Sequence, residues 1–318
     1  MKTIVIGYLN VDLVASGIEK FPEPGELVYG KELLIGPGGK SRNIAAMVAN
    51  LAPKNSVAMV GRTVKDPYGL WLQPMNALTK AGVNTNYVNV LEYKDVNKLP
   101  GIALIPVDKQ GNNQIILLPG VNDDFSVVDI DSADPLFKTV EKNNGMLILT
   151  LECPIKTAIH AVKKANKYGL KVMLDPGGIQ PNTNLNKLIS SGIYLIKPNK
   201  HETKILTGID VTNFATAKQA ATILQGLGVA IVLITAGSKG AYLFSNNAQL
   251  HIPIPNIRFT NHNDETGCGD QTMAALCSFL QDGKTIKEAS KLAVLAGTLQ
   301  FHKLGIKPIT HKELKEYL

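Results

Sequence analysis

The chain has 318 residues, of which 45% are hydrophobic and 19% charged, and a formal net charge of +7. That length supports a large buried core, as one big α/β domain or two smaller ones, and the composition excludes a disordered chain. The basic surplus suits anionic ligands such as nucleotides or simply aids solubility, but no Lys/Arg block or aromatic-basic interleaving marks nucleic-acid binding.

No apolar run approaches a membrane span. Met1-Lys2-Thr3 leads straight into Ile4-Val5-Ile6, without an h-region and cleavage site. Cys153, Cys268 and Cys277 are too few and too irregular for a disulfide framework or a zinc site, which points to a reducing cytoplasm.

Residues 3–7 read as a buried strand. In Asn10-Val11-Asp12 the two polar side chains share one side at period two. They suit a grip on hydroxyls at a strand end, or a plain turn, since both are turn residues. Residues 26–35 alternate loosely as a strand. Gly36-Pro37-Gly38-Gly39-Lys40-Ser41 is not a P-loop, because Leu34 stands where that pattern needs a glycine. It reads as a glycine-rich turn opening a helix over about 43–51, with Lys40 and Asn43 beside a backbone open to close approach. Residues 56–60 read as a strand, 61–69 as a loop, and 70–81 as a helix ended by Gly82. Strands at 100–107 and 114–118 flank the hairpin signal Asp108-Lys109-Gln110-Gly111-Asn112. With 26–35 they would form a small sheet standing apart, a lid.

From residue 145 strands alternate with helices: strands 146–151, 171–175, 193–196 and 230–235, helices 155–168, 184–190, 199–207 and 215–226. A hairpin at 241–254 and helices at 270–281, 285–302 and 311–317 follow. This pattern predicts an α/β fold of three layers, a doubly wound, mostly parallel sheet covered on both faces, with a small β-sheet lid. Glu152, Asp175, Asn199 and Thr235-Ala236-Gly237-Ser238 fall just past strand ends, the edge where such sheets bind ligands. Without repeats or long linkers, residues 1–318 read as a single α/β domain, with lid strands inserted at about 11–35 and 98–119.

The stretch Asp264-Glu265-Thr266-Gly267-Cys268-Gly269-Asp270 places small residues before an apolar helix. Unpaired N–H groups and the helix dipole favour an anion there, and Gly267 and Gly269 let it come close. Asp270 beside an anion site is either a general base or the helix N-cap. Cys268 at a helix N-terminus is expected to have a lowered thiol pKa, unless it is only a small filler.

These residues resemble the ribokinase-like (PfkB) family of carbohydrate kinases over nearly the whole chain. The signatures lie at 36–51, around Gly-Gly-Lys-x-x-Asn, and at 264–276. Pro198-Asn199-Lys200-His201-Glu202 and Thr235-Ala236-Gly237-Ser238-Lys239-Gly240 resemble the family's Asn-x-x-Glu and nucleotide-loop motifs. The resemblance implies a cytoplasmic kinase for a small-molecule sugar, with D-ribose converted to ribose 5-phosphate at the expense of ATP and Mg2+. It implies Asp270 as base and the N–H groups of Gly267, Cys268 and Gly269 as anion hole. Asn10, Asp12, Gly39, Lys40, Asn43 and Glu152 would bind sugar, and Asn199, Thr235, Gly237, Ser238 and Gly240 the nucleotide. Glu202 would act on Mg2+ through water. Asp264 and Thr266, with a loop over 303–310, would hold K+, and the lid strands would pair two copies into a homodimer. Departures are Ser41-Arg42 for a Gly-Ala pair, Glu265 for threonine, Cys268 for alanine, and Ile309 near an expected serine. Arg42 keeps a phosphorylated sugar open as substrate. Fructose, a 2-keto-3-deoxy sugar acid and a nucleoside also remain open, as does a non-catalytic sugar- or nucleotide-sensing protein.

Overall fold

A computed structural model describes residues 1–141, 145–257 and 263–317. The chain opens with β1 (Thr3–Ile6), β2 (Asn10–Ile18), β3 (Glu32–Gly38) and helix α1 (Lys40–Leu51). Next come β4 (Val57–Lys65), α2 (Leu72–Lys80), β5 (Asn84–Glu92), α3 (Tyr93–Val96), β6 (Gly101–Asp108), β7 (Ile116–Leu118), α4 (Val127–Ser132) and α5 (Asp134–Glu141). Then follow β8 (Met146–Thr150), α6 (Ile155–Lys167), β9 (Lys171–Asp175), α7 (Asn186–Ile189), β10 (Leu195–Ile196), α8 (Lys200–Thr207), α9 (Phe214–Gly226) and β11 (Ile231–Thr235). The hairpin of β12 (Ala241–Ser245) and β13 (Ala248–Ile252) precedes α10 (Cys268–Gln281), α11 (Ile286–Phe301) and α12 (His311–Lys315).

The main sheet runs β13-β12-β11-β10-β9-β8-β1-β4-β5. It is parallel from β11 to β5 and antiparallel at the β12–β13 edge. Its central strands are apolar throughout because both faces are covered. Ile4, Ile6, Leu147 and Leu149 pack to one side with Ala158 and Val162 of α6 and Ala217 and Leu224 of α9. Val5 and Ile148 point the other way, against Ile44 and Met47 of α1, Met273 of α10 and Ala293 of α11. The chain winds outward from β1 to β4 and β5 on one side, and through β8 to β11 on the other. The strand order therefore reverses between β1 and β8, and the crevice at their carboxyl ends is where such a sheet takes a ligand.

The small sheet is ordered β3-β2-β6-β7. Here the structure corrects several boundaries. The strand expected at 26–35 spans Glu32–Gly38, so Gly36, Pro37 and Gly38 are sheet and not turn. Asn10 and Asp12 open the nine-residue strand β2. Helix α1 starts at Lys40, which puts Lys40 and Asn43 together in its first turn. Residues 61–65, expected as loop, extend β4 and pair with β5. That edge strand carries Asn84, Asn86 and Asn89, poor strand formers, and owes its form to the neighbour it pairs with. Helices α4 and α5 were also not evident in the sequence. A capping box between Ser126 and Asp129 starts α4.

Ile148 is fully buried in the central strand β8. Ile148→Ala is expected to cost about 2–5 kcal/mol of stability. The check is the denaturant midpoint at unchanged slope. A loss under about 1 kcal/mol would contradict so tightly packed a layer.

Candidate active site

Asp264 to Gly267 form a loop that runs into α10. Gly267 is the N-cap, at φ 75° in the left-handed region. A Cβ there would also meet Met47 Cε at 3.2 Å and Ile306 Cγ1 at 3.3 Å, so only glycine fits without strain. The N–H groups of Gly267, Gly269 and Asp270 have no acceptor among the described residues, whereas Cys268 N–H donates to Glu265 O at 3.2 Å. Three free donors at a helix N-terminus suit an anion. Of the three N–H groups expected to face an anion, that of Cys268 is instead engaged within the loop.

The Asp270 side chain does not cap the helix. Its Oδ1 accepts from Lys40 Nζ at 2.6 Å and its Oδ2 from Asn43 Nδ2 at 3.0 Å. Both donors come from one turn of α1, three residues apart and so on one face. Each carboxylate oxygen keeps a lone pair for a further donor such as a substrate hydroxyl.

Helix α1 is itself fixed at the β1–β8 crevice. Ser41 Oγ donates to Ile6 O at 2.9 Å and lies 2.7 Å from Thr150 Oγ1. Gly39 is the N-cap of α1, and the next N–H, that of Lys40, donates to Glu152 Oε2 at 2.7 Å. Burial pushes the Glu152 carboxyl up to about 7, against the Lys40 N–H bond and the Lys40 charge. Asn10 Oδ1 accepts from Asn122 Nδ2 at 2.8 Å. Asp12 lies against Gly38, where a Cβ would fall 1.8 Å from its Oδ1. Arg42 is buried, and its Nε and Nη2 donate to Gly38 O at 3.2 Å and Pro37 O at 2.5 Å. Burial raises the Asp12 pKa while Arg42 opposes the rise. The Ser41-Arg42 departure thus fixes α1 to the sheet and the lid strand β3 to α1.

A second buried cation, Lys197 of the segment after β10, was not recognised in the sequence. Its Nζ lies 2.9 Å from Asp175 Oδ2, and Lys40 Nζ lies 3.5 Å from Asp175 Oδ1. Lys197 Nζ would also sit 3.6 Å from a Cβ on Gly269. The signal was a lysine directly before Pro198-Asn199, at the end of a buried strand. Two ammonium groups and a helix N-terminus together favour a phosphate. Asn199 caps α8 through a mutual box with Glu202: Glu202 N–H donates to Asn199 Oδ1 and Asn199 N–H to Glu202 Oε2, both at 2.8 Å. One Glu202 oxygen remains open, which fits magnesium held through water. Burial raises the Glu202 pKa, followed by the charge of Asp175. Thr235 N–H donates to Pro198 O at 2.9 Å, and Asn199 bridges Thr235 in parallel. Gly237 and Ser238 lie in a 3₁₀ turn closed by Ala236 N–H donating to Gly240 O at 2.7 Å. The expected nucleotide residues are thus gathered at neighbouring strand ends.

Two expectations fit poorly. The Cys268 thiol is not acidic: burial pushes it up to about 12, and Asp264, Glu265 and Asp270 add to the rise. At the expected K+ position, the two Asp264 oxygens accept N–H groups from Thr266 at 2.8 Å and Gly305 at 2.7 Å, and Ile309 is fully buried with no side-chain oxygen.

A lidded parallel sheet, with a carboxylate held beside the unpaired N–H groups of a helix N-terminus, suits transfer of an anionic group to a hydroxyl. The profile of the pfkB family carbohydrate kinases matches residues 2–311, and the chain belongs to that family. It is 29% identical over 316 residues to a ribokinase of Haemophilus influenzae, covering 99% of this chain and 97% of that one. It is 28% identical over 299 residues to a deoxyribokinase of Salmonella typhimurium, covering 93% and 90%. The solved structure of Arabidopsis thaliana ribokinase complexed with ribose and ATP superposes with a TM-score of 0.86 at 29% identity, covering 99% and 98%. Ribokinase-like kinases use ATP with Mg2+. No helix among the described residues is long and apolar enough to cross a membrane.

The raised Cys268 pKa predicts slow alkylation. Iodoacetamide labelling of Cys268, followed by mass spectrometry, is expected to accelerate about tenfold per pH unit up to at least about pH 10. A plateau below about pH 8.5 would contradict it.

Proposed function

We propose that the chain transfers the γ-phosphoryl of ATP to the primary hydroxyl of D-ribose, giving ribose 5-phosphate. The observation that carries this reading is the Asp270 carboxylate, held by Lys40 and Asn43 in the N-terminus of α10. Asn10, Asp12, Gly39, Asn43 and Glu152 line the sugar end. Lys40, expected among the sugar residues, is read as working mainly between base and phosphoryl. Asp270 takes the proton of the attacking hydroxyl. The N–H groups of Gly267, Gly269 and Asp270, with Lys40 and Lys197, bear the charge of the moving phosphoryl. Magnesium bound with ATP neutralises phosphate charge, and Glu202 is placed to hold it through water. Asn199, Thr235, Gly237, Ser238 and Gly240 hold the nucleotide. The whole chain acts as one domain in the cytoplasm, with the lid as an insertion that excludes water on closing. Exposed Leu33, Leu34, Ile115 and Ile116 on the lid support a homodimer through its edges.

A second reading is 2-deoxyribose as acceptor, favoured by the deoxyribokinase relative. ADP release over a panel of ribose, 2-deoxyribose, fructose, 2-keto-3-deoxygluconate, nucleosides and sugar phosphates separates these readings. Ribose is expected to give the highest kcat/KM, and silence with every acceptor would mean a sensing protein.

Asp270→Asn is expected to lower kcat at least about a hundredfold with little change in sugar affinity, a barrier rise of about 3 kcal/mol or more. A kcat within about threefold of wild type would remove Asp270 as base. Glu152, with its pKa raised to about 7, is a neutral carboxyl below that pH and a hydroxyl-accepting carboxylate above it. The sugar KM is therefore expected to fall as pH rises from about 6 to about 8, and to lose that dependence in Glu152→Gln. A flat wild-type profile would contradict this role.

A further inference from the structure

The loop before α10 and the loop after α11 meet beneath the anion-binding N-terminus, where the family resemblance expects a monovalent cation. An amide stands there instead. Gln300, in the last turns of α11, is fully buried. Its Nε2 donates to Gly305 O at 2.8 Å and to Thr266 O at 3.3 Å. Its orientation follows from chemistry: both neighbours are carbonyl oxygens, so the amide must turn its NH2 toward them. That nitrogen would lie 3.9 Å from a Cβ on Gly267, directly behind the N-cap of α10.

The surrounding groups extend the cross-link, although Gln300 Oε1 has no hydrogen-bond partner among the described residues. Asp264 accepts N–H groups from Thr266 and Gly305, one on each oxygen. Ile309 N–H donates to Gln271 Oε1 at 3.0 Å, and Ile309 O accepts from Asn50 Nδ2 at 2.8 Å. A potassium ion held by these two carbonyls from the side that the amide occupies would face the amide hydrogens. Those hydrogens carry partial positive charge, so donor and cation exclude each other.

We propose that Gln300 replaces the monovalent cation in this chain. Its neutral amide ties residues 264–267 to residues 303–310 and so holds the N–H groups of Gly267, Gly269 and Asp270 in place without K+. The inference rests on the kinase reading for its catalytic consequence, but the cross-link can be read without turnover.

The test compares wild type, Gln300→Ala and Gln300→Ser in KCl and in choline chloride of equal ionic strength. Wild-type turnover with the best acceptor is expected to agree between the salts within about threefold. Both variants uncover the two carbonyls. They are expected to lose at least about tenfold in choline chloride and to recover in KCl. Their melting temperatures should likewise rise with KCl while the wild type's stays unchanged, since an ion bound only by the folded state stabilises it. Activation of the wild type by KCl beyond about threefold would overturn the proposal. So would variants whose rate and melting point respond to KCl no more than the wild type's. If no acceptor is turned over, the proposed function fails, and the melting comparison still decides whether Gln300 stands in for the cation.

Discussion

The meeting of two helix N-termini over one carboxylate governs the architecture of this site. Asp270 starts α10, Lys40 and Asn43 start α1, and the contacts between them span 230 and 227 residues of sequence. For these side chains to meet, α1 must lie over the β1–β8 crevice and α10 beside it. Ser41 secures the first by bonding to Ile6 O and Thr150. The apolar layer shared by α1, α10 and α11 secures the second. The fold thus brings the Asp270 carboxylate and the Lys40 ammonium together at the edge where the parallel strands end.

Charge explains why the arrangement holds in the absence of solvent. Asp175 and Lys197 are almost wholly buried, and Lys40 bridges Asp175 and Asp270. Isolated, such charges would be costly to bury, and removing one partner leaves the other uncompensated. Linked, they form an alternating row from Asp270 through Lys40 and Asp175 to Lys197. On the proposed reading, a phosphoryl group would arrive between Lys40, Lys197 and the α10 N-terminus, donors that this row already holds in place. Glu152 stands at the same end of α1, accepting from the Lys40 N–H, and burial rather than that partner dominates its titration.

Much of this was legible in the sequence, for identifiable reasons. The apolar runs of β1 and β8 announce strands buried on both faces, and the glycines around Lys40 and Asp270 announce close approach. What was not legible depends on partners distant in sequence. Lys197 reads as an ordinary lysine until the register of β10 on β9 sets it beside Asp175. Cys268 shares the local pattern of an activated thiol, yet burial and three nearby carboxylates reverse the sign of its shift. The asparagines of β5 argue against a strand, and only pairing with β4 makes them one. Gln300 has no motif around it, and its role emerges only where two loops converge.

The interplay of Lys40 and Asp270 can be measured directly with a double-mutant cycle on kcat, using Lys40→Met, Asp270→Asn and the pair. If the ammonium works through the carboxylate it orients, Lys40→Met will cost far less in the Asp270→Asn background than in wild type, and the double variant will lose little more than the worse single variant. Losses that multiply across the two positions would show independent roles and contradict the account.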